Sequence, residues 1–244
     1  MPCTVTAQKN GVSALGQQRV LGLKSYKTAW AWLHKLRRAM VRPDRDRLKG
    51  RVEVDETFTG GVEEGTPGRH TGRKTLIVIA AQEDGPGIGR IRMRRIPDAS
   101  VDSLTDFITE AIEPGSTVHT DGWRGYAGVE VAGYDHEVTL LRGKKQTASE
   151  LMPRVHRVAS LLKRHPPGGL RVDVFWCTTS GDLRVCCQHW LMGTHQGAVT
   201  REHLDYYLDE FTFRFNRRRS ANRGSSSIAW CNRPSPLTRH PTNP

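Results

Sequence analysis

Two aspartates each stand at the end of a short strand-like run. Asp55 lies in Val52-Glu53-Val54-Asp55-Glu56-Thr57, and Asp121 follows Thr117-Val118-His119-Thr120. Carboxylates carried out of a hydrophobic sheet in a basic protein point to divalent-metal chemistry on a phosphodiester. Breaking or joining that bond requires an activated oxygen nucleophile, a stabilised leaving oxygen and shielding of the charge that builds between them. Two Mg2+ ions about 4 Å apart supply all three, and hard cations take carboxylate oxygens. On this reading Asp55 bridges both ions, Asp121 holds one, a ligand from a later helix completes the set and Lys163 meets a phosphate. Glu53 and Glu56 are alternative ligands, Glu56 the weaker because alternation turns it away from Asp55. A single strand-end aspartate is more often an exposed turn residue, so the inference rests on the pair and on the elements that carry it.

Those elements can be read in order. Arg51–Phe58 alternates, with Val52, Val54 and Phe58 on one face and Glu53, Asp55 and Thr57 on the other. Thr75–Ala81 is continuously apolar, as a central strand covered on both faces must be. Arg90–Ile96 sets Ile91 and Met93 against Arg90, Arg92 and Arg94. Val101, Leu104, Ile108 and Ile112 make one helical stripe, with Asp98 or Ser100 as cap and Pro114-Gly115 as stop. Ser116–Thr120 is a fourth strand that delivers Asp121. A helix over 149–164 buries Val155, Val158, Ala159 and Leu162, with Pro153 near its start, and sets His156 and Lys163 two turns apart beside the stripe. The order β-β-β-α-β with acids on the first and fourth strands is the arrangement of RNase H-like nucleases and integrases. The expected fold is therefore α/β, an RNase H-like mixed sheet flanked by helices.

Around this domain, assigned to 49–219, lie other segments. Residues 1–48 read as a helical unit and linker. A break at Gly22 separates Leu15, Val20 and Leu21 from a second helix bearing Ala29, Trp30, Leu33, Leu36 and Met40, with Ser25 as its N-cap. An exposed face of Lys27, His34, Lys35, Arg37 and Arg38 suggests a helix-turn-helix reading head for DNA. The alternative is an amphipathic pair packed on the main domain. His165-Pro166-Pro167-Gly168-Gly169 opens an interruption at 165–189, and a last helix follows Thr200 with Leu204, Tyr207, Leu208, Phe211 and Phe215. Residues 220–244 read as a disordered tail.

Composition agrees with a nucleic-acid partner. The 244 residues carry 37 Lys and Arg against 25 Asp and Glu, a net charge of +12. Such a surplus calls for a polyanion, nucleic acid ahead of an acidic membrane surface. No run of about 18 apolar residues exists, and no apolar signal core opens the chain, so a cytoplasmic protein is expected. The odd count of five cysteines argues against a disulfide scaffold, and Cys177, Cys186, Cys187 and His189 lack the paired spacing of a zinc site. Trp123 and Tyr126 could stack on a base while Arg124 meets a phosphate, or simply pack their loop. Arg142, Lys144 and Lys145 are candidate DNA-backbone contacts.

At these residues the chain resembles DDE-type transposases of bacterial insertion sequences, in the ISXO-type group. The resemblance rests on Val54-Asp55-Glu56-Thr57 with Gly60-Gly61, on Asp121-Gly122-Trp123-Arg124-Gly125-Tyr126, and on His156-Arg157-Val158-Ala159-Ser160-Leu161-Leu162-Lys163-Arg164. It continues through 191–197 and from Tyr207 to Arg218. It implies metal-dependent cleavage at transposon ends, strand transfer into target DNA, Mg2+ or Mn2+ as cofactor, and a nucleoid-associated homo-oligomer acting on paired ends. By position Asp55 and Asp121 match the first two acids, His156 stands where many relatives carry Glu, and Lys163 matches the basic residue seven positions on. Imidazole is a poorer Mg2+ ligand than carboxylate, so His156 is expected either to ligate or to orient water or phosphate. Three departures from the family pattern are a sequence that starts after where the family's zinc ribbon would lie, the interruption at 165–189, and the divergent sequence beyond Arg219. They admit a second function, an inactive DNA-binding remnant that represses its relatives. A third is a nuclease of RNA–DNA hybrids.

Overall fold

The computed structural model describes residue 5 and residues 11–41, 45–59, 75–140, 147–163 and 199–220. The expectations for Gly60-Gly61, for Arg142, Lys144 and Lys145, for the interruption at 165–189 and for the tail beyond residue 220 lie outside them.

Three antiparallel strands, β1 (Arg51–Thr59), β2 (Thr75–Asp84) and β3 (Gly87–Ile96), form a meander. Helix α3 (Val101–Ala111) then carries the chain back to β4 (Thr117–Thr120), which pairs parallel with β1, and β5 (Asp135–Val138) pairs parallel with β4. The sheet order is β3-β2-β1-β4-β5, the mixed sheet of an RNase H-like fold. Ser100 caps α3 by accepting from Ser103 N at 3.3 Å, and Asp98 holds the Ser100 amide and the Ser103 hydroxyl in turn. The α/β expectation holds, with one added strand at the edge.

Both faces of the sheet are covered, which explains the unbroken apolar run of β2. On one side α3 packs Leu104, Phe107 and Ile108 against Val52, Val54, Val78 and Val118. On the other, helices α5 (Pro153–Lys163) and α6 (Leu204–Asn216) bring Val155, Val158, Leu208 and Phe211 onto Ile77, Ile79, Ile91 and Met93. The expected helix over 149–164 is two, because Met152 leaves helical geometry between α4 (Ala148–Leu151) and α5. Pro153 thus opens a helix, where its missing N–H costs nothing. The outer edge of β3 is shielded by α6, whose Asn216 amide bonds both Ile91 N and Ile91 O at 2.7 and 3.1 Å.

Of two further helices, α1 (Ala14–Leu21) packs on α2 (Tyr26–Met40), and α2 sits against α6. Ser13 caps α1 through Gly16 N, and Gly22 ends it at φ +62°. Ser25 occupies the N-cap position of α2, although its side chain makes no cap bond. The expected exposed face of α2 needs correction at two residues. His34 and Arg37 are buried against α6, while Lys27, Lys35 and Arg38 remain exposed. The reason is spacing: Leu33, Arg37 and Met40 fall at i, i+4 and i+7, one helical stripe.

His34 lies among Trp30, His203, Tyr206 and Tyr207. Burial, then the charges of Arg37 and His203, lower its pKa to about 4 against an opposing effect of Glu210. The unfolded chain therefore binds this proton first, near pH 6.5, and stability falls as pH drops from there toward 4. Urea unfolding at pH 5 is expected to show a loss on the order of 2 kcal/mol relative to pH 7.5. The loss should shrink in His34→Phe.

Candidate active site

Asp55 and Asp121 emerge at the same end of the sheet. In the parallel β1–β4 ladder Val52 faces Val118 and Glu53 faces His119, where the pairing ends, and Asp121 follows the last residue of β4. The same register carried two residues on would set Asp55 opposite Asp121, and both carboxylates act on the Tyr126 phenol. Both side chains are half-buried at the same end of the sheet. Gly122, at φ +79°, turns the chain immediately after β4. Asp121 Oδ1 accepts from Trp123 N at 3.0 Å, which orients its carboxylate, as Glu56 N does for Asp55 Oδ1 at 2.8 Å.

The third member arrives from the covering helix. His156 on α5 places Nε2 3.8 Å from Asp55 Oδ2, and both side chains keep partial access to solvent. Lys163 is the last residue of α5, and its side chain lies outside the described residues. Glu56 faces the opposite side, where its Oε2 accepts from the buried Tyr126 hydroxyl at 2.8 Å. Burial pushes that phenol well above its ordinary pKa, and the charges of Glu56, Asp55 and Asp121 push it further. Three carboxylates thus lie near enough to the Tyr126 phenol to act on it together.

The donors fit a divalent cation in part. Neighbouring ligands of one octahedral Mg2+, bound at about 2.0–2.1 Å, lie about 3 Å apart, so Asp55 and His156, 3.8 Å apart, would have to draw closer to share one ion. Among the described residues no three His, Cys, Asp or Glu side chains are gathered closely enough to hold a metal ion. What is present is an open cradle, the Asp55–His156 pair with Asp121 following β4 on the neighbouring strand.

The loop after Asp121 packs tightly. Trp123 Nε1 donates to Ala99 O at 3.0 Å, and Tyr126 is wholly enclosed, so Tyr126 is not available for stacking on a base. Trp123 keeps 36% of its surface and Arg124 is exposed. A side chain at Gly125 would meet the carbonyl oxygen of Ala99 and come within 2.7 Å of Leu104 Cδ1. Gly125→Ala is therefore expected to destabilise the domain by about 2–3 kcal/mol, read as a lowered thermal midpoint.

Two features of the site are not evident from the sequence alone. One is the Tyr126–Glu56 bond, which joins residues far apart in the chain. The other is Glu53, buried beneath α5 beside Asp55. Its place two residues before Asp55 on an alternating strand is the only local hint of that face.

Residues 47–168 match the family model described as the ISXO2-like transposase domain. That span is half the chain. The chain belongs to the ISXO2-like transposase family. The matched span runs from just before β1 to just beyond α5, so the transposase domain contains Asp55, Asp121, His156 and Lys163. Comparison with curated proteins and with solved structures finds no match. No helix among the described residues is long and apolar enough to cross a membrane.

Proposed function

We propose that this chain cleaves DNA at the ends of an insertion sequence and transfers the freed strand to a target, using Mg2+ or Mn2+. The observation that supports the reading is the parallel β1–β4 ladder, whose direction carries Asp55 and Asp121 to the same end of the sheet, with His156 3.8 Å from Asp55. Asp55 and Asp121 hold the metal, and His156 either completes its ligand set or orients the attacking oxygen. Lys163 steadies a phosphate. Bound metal lowers the pKa of the nucleophilic oxygen and neutralises charge on the departing one.

The DNA is held by cations beyond the cradle. The first 43 residues contain eight Lys and Arg and no Asp or Glu. With Arg37 committed to Glu210, the exposed set on α2 is Lys27, Lys35 and Arg38. Trp123 and Arg124 line the loop beside Asp121, and Arg142, Lys144 and Lys145 complete the proposed contacts. A homo-oligomer on paired ends suits the reaction.

A second reading, a DNA-binding remnant without catalysis, draws support from the imidazole that stands where a third carboxylate would complete the donor set. Supercoiled plasmid carrying the element's ends separates the two. The enzyme nicks it with Mn2+ and not with EDTA. Salt-sensitive DNA retention without nicking would establish the remnant instead.

A further inference from the structure

Glu53 is 1% exposed, a carboxylate inside the sheet two residues from Asp55 and on the same face of β1. A charge placed there is costly unless its oxygens are fully engaged. They are. Oε2 accepts from the backbone N–H of Arg154 at 2.7 Å and of Val155 at 2.9 Å, the first free amides of α5 after Pro153. Oε1 accepts from Arg154 Nη1 at 2.9 Å. Arg154 then reaches Glu83 Oε1 at 2.6 Å and the carbonyls of Gly85 and Gly87, fastening α5 to the β2–β3 hairpin as well. An N-cap normally comes from the residue just before its helix. Here it comes from a strand about a hundred positions earlier, and the negative charge also suits the positive end of the helix dipole.

The geometry points to Glu53 as a positioning residue. By capping α5 from within β1, it fixes the separation of His156 from Asp55, and so the width of the metal cradle. This rests on the proposed catalytic reading for its purpose, but the mechanical claim stands apart from it. Asp55 follows Glu53 by two residues on a rigid strand, and His156 follows Arg154 by two on a rigid helix. One anchored pair therefore sets the other. A residue needed only for stability could as well be apolar, as Ala81 is opposite Glu53 on β2.

The test uses the full chain and two variants. Glu53→Met preserves length and suits a buried site but accepts no hydrogen bond. Glu53→Gln retains an oxygen for the two amides while losing the charge. Hydrogen exchange is followed at the first turn of α5 and along β1–β2, and Mn2+ affinity is measured by electron paramagnetic resonance. Glu53→Met is expected to speed exchange at the first turn of α5 at least tenfold with β1–β2 unchanged, and to weaken Mn2+ binding about tenfold. Glu53→Gln should restore most of the exchange protection and part of the Mn2+ affinity, because its oxygen keeps the two backbone amides while its NH2 cannot accept from Arg154 Nη1. Wild-type exchange in Glu53→Met, or equal damage in Glu53→Gln, overturns the inference. If the wild type binds no Mn2+, the metal reading fails and the exchange data alone decide the role of Glu53. If Glu53→Met does not fold, Glu53→Gln decides: protected amides support the cap, and lost protection overturns it.

Discussion

Asp55→Ala is expected to reduce Mn2+-dependent plasmid nicking by about a thousandfold or more, roughly 4 kcal/mol of transition-state stabilisation. It should do so without unfolding the domain. The Asp55 carboxylate is half-buried, accepts from the amide of the next residue and lies 3.8 Å from His156. Without a bound cation it sits near Glu56 and Asp121, all of which raise the Tyr126 phenol. Asp55 belongs to neither apolar cluster that covers the sheet, so the thermal midpoint of the metal-free protein should move little beside the loss of nicking. Asp121→Ala should behave the same way. The double variant should be hardly worse than either, because ligands of one centre act as a unit. Unchanged nicking in Asp55→Ala would remove the chemistry from this cradle.

The parts of this design visible in the sequence are those set by local periodicity. Alternation through Val52, Val54 and Phe58 placed Asp55 on the opposite face of β1, and the stripe of Val101, Leu104 and Ile108 located the crossover helix. β5 was not evident because Asp135-His136-Glu137-Val138 has one apolar residue in four. It is an edge strand held by its backbone ladder to β4 rather than by a buried face. The break at Met152 was masked because the apolar spacing runs on into α5. The charge of Arg37 suggests a DNA-facing surface, but its place in the buried stripe decides, and its partner lies 173 residues away. The cap from Glu53 was hidden for the same reason, since contacts between distant segments leave no local pattern.

Arg37 leads to the second large effect. Glu210 is 1% exposed and sits between two guanidinium groups: Arg37 Nε at 2.6 Å from Oε2, and Arg214 Nη2 at 2.6 Å from Oε1. Arg37 also stacks over the Tyr207 ring at 4.0 Å, and Arg214 donates to Val5 O at 2.6 Å. Burial by itself would raise the Glu210 carboxyl. The charges of Arg214 and Arg37, with their hydrogen bonds, hold it below the usual carboxylate range instead. Glu210→Ala removes the buried carboxylate that both guanidinium groups bond, and is expected to cost about 3–5 kcal/mol in urea unfolding. Arg37→Met should cost distinctly less, because Glu210 keeps Arg214 and the thioether stem fills the space against Tyr207. The ranking follows from the triad having one anion and two cations, and equal losses would contradict it. Because the folded carboxyl is held low, this stabilisation is complete above its unfolded value near 4.5 and fades as pH falls through the lower folded one. The loss begins where the His34 effect is nearly complete, so acid should loosen α1 and α2 from α6 in two successive steps.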